Sequence, residues 1–247
     1  MKKNCCCHSL NTFQPMPVNN EIARNVNLSL SEIKEKIQNE KGIVYIYKLS
    51  TIRFENNQMQ QKGSAPNFQG GLITLCTCKK YLRTYSEIKT TPRVWIAGLT
   101  SSTKNIKNPF GSLFYLMKIG ERYESFYDIW LANNKTVQSA KSACNNELGD
   151  FYEPKIKKIK EHSEDRFNSI NYEFPNENHS HIINDEDEWR TDIECVYNNK
   201  RRPVLLSGNI NFSFLWSAPK IKFNEDISRG GLKCSSINNF FKKLEEN

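Results

Sequence analysis

An α+β fold is predicted by three features of the sequence: five short β-rich runs bounded by Gly, Pro or Asn, helical periodicities set between them, and no repeat or heptad pattern. The strands suffice for a β-sheet or a small β-barrel, for which a PUA-like barrel is one template, with short helices on its flanks. The organisation read from composition is a polar arm and short helix over 1–40, followed by a single domain over 41–247.

The elements follow in order. Residues 1–27 are polar, carry Pro15 and Pro17, and show neither period, so they read as a tail. In "SLSEIKEKIQNE" (29–40) a Ser cap precedes Glu32 by three residues, and Leu30, Ile33 and Ile37 share a helical face, which predicts an amphipathic helix. The predicted strands are 42–49, 70–77, 93–100, 112–119 and 203–208, each rich in β-branched or aromatic residues. Helices are predicted at 78–83, 123–132, 135–144 and 235–245. Residues 154–164 read as a basic surface segment. Residues 177–194 hold seven acids against the single Arg190 and read as a polar, acidic loop.

Charge narrows the partners. The 247-residue chain carries a formal +8 at pH 7 with a pI near 9.0, so polyanions are natural partners. No apolar run approaches the roughly 20 residues that span a bilayer, and the start lacks an apolar signal region, so the expected location is the cytoplasm, away from membranes. Eight cysteines without small-loop spacing fit free thiols in a reducing compartment.

Chemistry concentrates in "GSAPNFQGGLITLCTCKKYLR" (63–83). Between 78 and 107, seven cations face one acid, a local 7 − 1 = +6, beside Tyr81, Tyr85 and Trp95; cations among aromatics suit phosphates and stacked bases. The alternative is an ordinary solvated face. If Thr77 caps a helix that follows the strand, its free N–H groups with Lys79, Lys80 and Arg83 outline an anion site. Cys78 then reads as a nucleophile or redox thiol, against the plainer role of a small packing residue.

Zinc is disfavoured, because Cys76 and Cys78 on one strand face would stand roughly 7 Å apart and no C-x-x-C partner exists. "NENHSHIINDEDEW" offers His179, His181, Asp185 and Asp187 as a general base, a His–carboxylate couple or a plain acidic loop. No nucleophile-elbow serine, P-loop or dinucleotide fingerprint is present, and nothing in the residues names a cofactor.

Taken in order, "SAPNFQGGLITLCTCKKYLR", "PRVWIAGLTS", "GSLFYLMKIGERYESFYDIW", "LGDFYEP", "ENHSHIINDED" and "PVLLSGNINFSFLW" resemble the nucleotide-modification-associated (Nmad) domain families of bacteria and phages, from about residue 42 to about 232. Ala65, Pro66, Asn67 and Phe68 match the first block, and Thr74, Leu75, Cys78, Lys79 and Arg83 the second, with Lys80 where that block has Pro. Trp95, Gly98, Leu113, Tyr115, Met117, Trp130, Gly149, Asp150, Tyr152, His179, Asp187 and Ser207 continue the match.

The resemblance implies a factor that modifies a nucleotide or a nucleic-acid base, without fixing the reaction, a cofactor, or whether the chain itself turns over. It places Cys78, His179 and Asp187 in one catalytic constellation, with His181 and Asp185 as alternative equivalents. Asn67, Lys79, Lys80 and Arg83 are then expected at the phosphate, and Trp95, Tyr115, Trp130, Asp150 and Ser207 around the base. The expected partners are a nucleotide, DNA or RNA, together with a nucleotide-modifying enzyme or nuclease encoded nearby. Two other readings remain: a non-catalytic reader of modified bases like the PUA, ASCH and EVE domains, and a scaffold of a defence or mobile-element system.

Overall fold

A computed structural model describes residues 25–55, 58–61, 63–64, 66–100, 111–183, 187–196, 201–227 and 231–246. The polar stretch before Asn25, Ala65, Asp185 and the cations Lys104 and Lys107 lie outside the described residues. The strands are β1 (Ile43–Leu49), β2 (Ile52–Glu55), β3 (Gln58–Gln61), β4 (Thr74–Leu75), β5 (Val94–Thr100), β6 (Leu113–Tyr123), β7 (Leu205–Leu215), β8 (Ile221–Phe223), β9 (Leu232–Cys234) and β10 (Leu244–Glu246). The helices are α1 (Leu30–Lys36), α2 (Ser86–Thr90), α3 (Phe126–Ala132), α4 (Lys135–Lys141), α5 (Ser180–Ile183), α6 (Glu188–Glu194) and α7 (Ile237–Phe241).

The fold is α+β, as the sequence predicts, and its sheet is open rather than closed into a barrel. Six strands run in the order β4-β7-β6-β5-β1-β9, and β10-β8 and β2-β3 form two-stranded pairs. The sheet is mixed: β1 and β5 are parallel over seven paired residues, while β9 on β1 and β6 on β5 are antiparallel. The described chain groups into two compact units, one drawn from residues 63–89 and 122–207, the other from 25–61, 90–121 and 208–246. Among the described residues no helix is long and apolar enough to cross a membrane.

The second of these units holds a conventional apolar core. In α1 the Ser29 Oγ accepts from the Glu32 N–H while the Glu32 carboxylate accepts from the Ser29 N–H at 2.7 Å, closing the capping box. Leu30, Ile33 and Ile37 turn inward onto Val44, Ile46, Trp95 and Phe240. Trp95 is fully buried there, with its indole N–H donated to Lys41 O at 3.2 Å, and Tyr115 is buried with its hydroxyl 2.7 Å from that of Tyr47. Both rings are therefore core residues of this unit rather than walls of an open pocket.

The first unit is built on aromatic packing. Phe126 and Trp130 from α3 pack with Tyr152, Tyr172 and Trp189, and the Phe126 and Tyr152 rings meet edge-on at 4.7 Å. Here the local structure departs from expectation. The strand expected over 70–77 shrinks to β4, because Gly70 and Gly71 take φ of 67° and 78° in a 3₁₀ turn, leaving only Thr74 and Leu75 to pair with Ser207 and Leu206. The helix expected over 78–83 is a 3₁₀ turn at Leu82–Thr84 preceded by Lys79 at φ 55°. The acidic loop expected over 177–194 folds as α5 and α6.

Gly98 marks a tight point in the second unit's sheet. A Cβ there would lie 2.2 Å from Tyr115 Cε1, inside any allowed contact. Gly98→Ala is expected to displace that ring from Tyr47 and to destabilise the protein by about 1–3 kcal/mol. The measurement is urea unfolding, in which the midpoint falls while the slope stays unchanged.

Candidate active site around Cys78

The turn that carries Cys78 is held by Arg83. This guanidinium is fully buried and donates through Nε to Cys78 O at 2.9 Å, through Nη2 to Thr77 O at 3.2 Å and through Nη1 to Val204 O at 2.7 Å. Val204 N–H returns a bond to Arg83 O at 3.2 Å. Five donors in a planar fork suit three converging carbonyls, and they allow the chain to turn where Lys79 sits in the left-handed region. A non-glycine residue there costs about 1–2 kcal/mol, which the buried fork offsets. The Thr77 hydroxyl lies 2.6 Å from that of Ser64 instead of capping a helix. Arg83 thus holds backbone, and Thr77 is tied to Ser64.

Against this turn come α5 and α6. On α6, Trp189, Asp192 and Ile193 are buried, a three-and-four spacing that puts one carboxylate on the apolar face. Asp192 is inaccessible to solvent: Oδ2 accepts from Tyr152 OH at 2.6 Å and lies 2.5 Å from His181 Nδ1, while Oδ1 is 2.6 Å from Lys80 Nζ. Lys80 also reaches Thr191 Oγ1 at 3.1 Å. The half-buried Cys78 lies beside the His181 ring, near enough for its sulfur to help raise the imidazole pKa. With Nδ1 committed to Asp192, Nε2 is the nitrogen left to meet the sulfur.

No family model, curated protein or solved structure matches this chain. The chemistry of the site therefore has to be read from its own geometry.

Burial works against a charge on His181, but the Asp192 carboxylate and its hydrogen bond outweigh it and hold the imidazole well above its ordinary pKa. Asp192 shows the complementary balance: burial alone would raise it, and His181 with Lys80 hold it below the usual carboxylate value. Burial and the neighbouring Asp192 push the Tyr152 phenol far up, so it remains a neutral donor. The result is an imidazolium held by a carboxylate and lying beside the Cys78 sulfur.

His179 has a different role. It is fully buried, its Nε2–H is donated to Gly149 O at 2.7 Å, and its Nδ1 accepts the His181 N–H at 3.3 Å. Both nitrogens are thereby committed to backbone. Burial lowers its pKa to about 4, so it is neutral where His181 is charged. Asp187, its expected carboxylate partner, is exposed in the turn before α6 and lies 3.1 Å from Arg190 Nε. The His–carboxylate couple that reaches Cys78 is His181 with Asp192.

The remaining expected site residues divide between interior and rim. Asn67 and Asp150 belong to a sealed network around Lys141, whose Nζ donates to Asn67 Oδ1 at 2.7 Å and Thr74 Oγ1 at 2.8 Å, while the Thr74 hydroxyl donates to Asp150 Oδ2 at 2.7 Å. Desolvation lowers Lys141 to about 8 and raises Asp150. This network ties the Pro-Asn turn to the Gly149–Asp150 turn, where a Cβ on Gly149 would meet the Ser142 and Ala143 backbone at 2.6 Å. Trp130 lies in the aromatic core, Ser207 is buried opposite Thr74 in the sheet, and Lys79 is partly buried beside Cys78.

Asp192 was missed in the sequence because it sits in an acid-rich run. The available signal was its spacing from Trp189 and Ile193, which isolates one acid on an apolar helix face. Tyr152 carries no local signal.

The two histidines have opposite pH linkages. The folded pKa of His179, about 4, lies below its ordinary 6.5, so its contribution to stability is complete above pH 6.5 and lost as pH falls toward 4. His181 is raised, so its contribution is complete below its ordinary pKa and lost as pH rises through the folded value. His179→Gln, which can still donate to Gly149 O, should therefore flatten the loss of stability between pH 6.5 and 4, a difference of about 3 kcal/mol at full shift. Urea midpoints of both proteins across that window provide the measurement, and parallel acid limbs would contradict the assignment.

Proposed function

We propose that the protein is a thiol-dependent enzyme that modifies a nucleotide or nucleic-acid base, with Cys78 as nucleophile, His181 as its proton partner and Asp192 as the carboxylate that orients the imidazole. The observation that carries this reading is one side chain, His181, bonded to a buried carboxylate and set beside a cysteine contributed by a distant segment. A nucleophile, a base within hydrogen-bond reach and a third group orienting that base form the pattern of an activated thiol. A purely structural cysteine has no need of it. The nucleotide class of substrate rests on the resemblance of the sequence to the nucleotide-modification-associated families.

The chemistry open to this row is addition to an electrophilic carbon. Cys78 reacts as the thiolate partner of the His181 imidazolium: a sulfur lone pair forms the C–S bond, and the π pair of the opened double bond moves to the adjoining heteroatom or carbon. That atom takes the proton from His181 Nε2; when the C–S bond breaks, its electron pair returns to sulfur as the thiolate, and the neutral imidazole takes a proton back from the substrate. Asp192 keeps its charge throughout, steadied by Lys80 and Tyr152. Lys80 serves the carboxylate here, so it is a positioning residue rather than a phosphate ligand.

The test is site-resolved alkylation by iodoacetamide followed by mass spectrometry. Cys78 should react about tenfold or more faster than Cys144 and Cys195, which have comparable exposure, and His181→Gln should remove most of that advantage while leaving the other two unchanged. Nucleosides digested from DNA and RNA of cells expressing wild type or Cys78→Ser should differ in one modified species. Equal reactivity of the three thiols together with identical nucleoside profiles would refute the enzyme reading and favour a non-catalytic reader.

A further inference from the structure

The network around Lys141 is sealed from water, since Lys141, Asn67, Thr74 and Asp150 are all fully buried. The Lys141 ammonium directs its three hydrogens at Asn67 Oδ1 at 2.7 Å, Thr74 Oγ1 at 2.8 Å and Asn67 O at 3.2 Å. None goes to a carboxylate. Asp150 Oδ1 lies 4.0 Å from Nζ and accepts no hydrogen bond among the described residues. A cation and an anion are thus both desolvated without touching, which is costlier than a closed buried pair. Moving one proton from Nζ to Asp150 through the Thr74 hydroxyl, which donates to Asp150 Oδ2 at 2.7 Å, removes both charges. Burial favours that neutral pair, lowering Lys141 to about 8 and raising Asp150.

A neutral, desolvated lysine amine is a nucleophile, and Asn67 presents it with an electrophile. With Nζ 2.7 Å from Oδ1, the side-chain carbon Cγ stands within about 4 Å of Nζ, because the C=O bond adds about 1.2 Å at most. The amide is held in place from both ends. Its Nδ2 donates to Leu148 O at 2.8 Å, and its Oδ1 also accepts the Gln69 N–H at 3.0 Å. That backbone donor is aimed at the oxygen on which negative charge develops when the carbon is attacked. Phe151 is fully buried with them, its ring centre 5.7 Å from Nζ, so water is kept from competing for Cγ.

We propose that Lys141 and Asn67 become joined by an isopeptide bond that the folded first unit forms on itself, with ammonia as the leaving group. The Nζ lone pair forms the Nζ–Cγ bond, and the carbonyl π pair moves to Oδ1. That pair returns as the Cγ–Nδ2 bond breaks. Nζ loses one proton as its bond forms, Nδ2 gains one and leaves as NH3, and the Asp150 carboxyl, reached through Thr74, carries that proton between them. The products are a secondary amide and the same neutral Asp150, with no oxidant, reductant or further reactant consumed. The bond closes the chain between two positions 74 residues apart and makes the tie between the Pro-Asn turn and the end of α4 covalent. It is independent of the chemistry at Cys78.

The experiment is intact-mass spectrometry of the full chain, reduced and denatured, before and after the folded protein is held at pH about 9, where the Lys141 amine is neutral. The wild type should be lighter than its sequence by the mass of one ammonia, and digestion should release a branched peptide joining Lys141 to Asn67. Lys141→Arg should keep its full sequence mass, and so should Asp150→Ala, which leaves both reacting side chains present. The wild-type mass decides the matter even where a variant does not fold. A wild type at full sequence mass after the incubation, an ammonia loss that maps to another asparagine, or a loss of water joining Lys141 to Asp150 overturns the proposal. A bond formed equally fast in Asp150→Ala overturns the role given to that carboxyl.

Discussion

A carboxylate without access to water is the constraint around which the first unit is arranged. Burying an unpaired charge is prohibitive, and removing one partner from a buried pair costs about 3–5 kcal/mol, so Asp192 requires every donor it has. Those donors come from separate stretches of chain: Lys80 from the turn after β4, Tyr152 from the loop after α4, and His181 from α5. Satisfying one side chain fixes the relative placement of three segments. Cys78 is drawn into the same arrangement because it lies two residues before Lys80.

Around that pair the protein uses its other buried charges as fasteners. Arg83 gathers three carbonyls and sets the turn that carries Cys78, and Lys141 ties Asn67 to Thr74 beside Asp150. Neither is placed to serve a ligand directly. They rigidify the two turns that flank Cys78, which keeps its side chain in place beside the His181 ring. His179 does the same for the histidine side, since its neutral ring spans Gly149 O and the His181 N–H and so fixes the backbone from which His181 projects.

The two adjacent histidines illustrate how environment assigns chemistry. Both are buried, yet one is neutral and one charged. The difference is a carboxylate 2.5 Å from His181 and a carbonyl 2.7 Å from His179. A carbonyl accepts from a neutral ring with little penalty, whereas a buried carboxylate stabilises the cation by direct charge attraction. The family-like matching of positions in the sequence selects His179; the electrostatics select His181.

What the sequence by itself determined was local. The S-x-x-E start of α1, the β-branched runs of β1, β5 and β6, and the helical run over 123–132 that becomes α3 follow from propensity, capping and periodicity, which act over a few neighbouring residues. Cys78 and a histidine near 180 were legible from residue type as candidates for chemistry. Which histidine, which acid and which cations was decided only by tertiary structure. Lys80, Arg83 and Lys89 read alike in sequence, but one neutralises Asp192, one anchors carbonyls and one lines an open cleft. A side chain's role as ligand, clamp or counter-ion depends on which buried groups lack partners nearby, and those groups are brought there by segments far away in the chain.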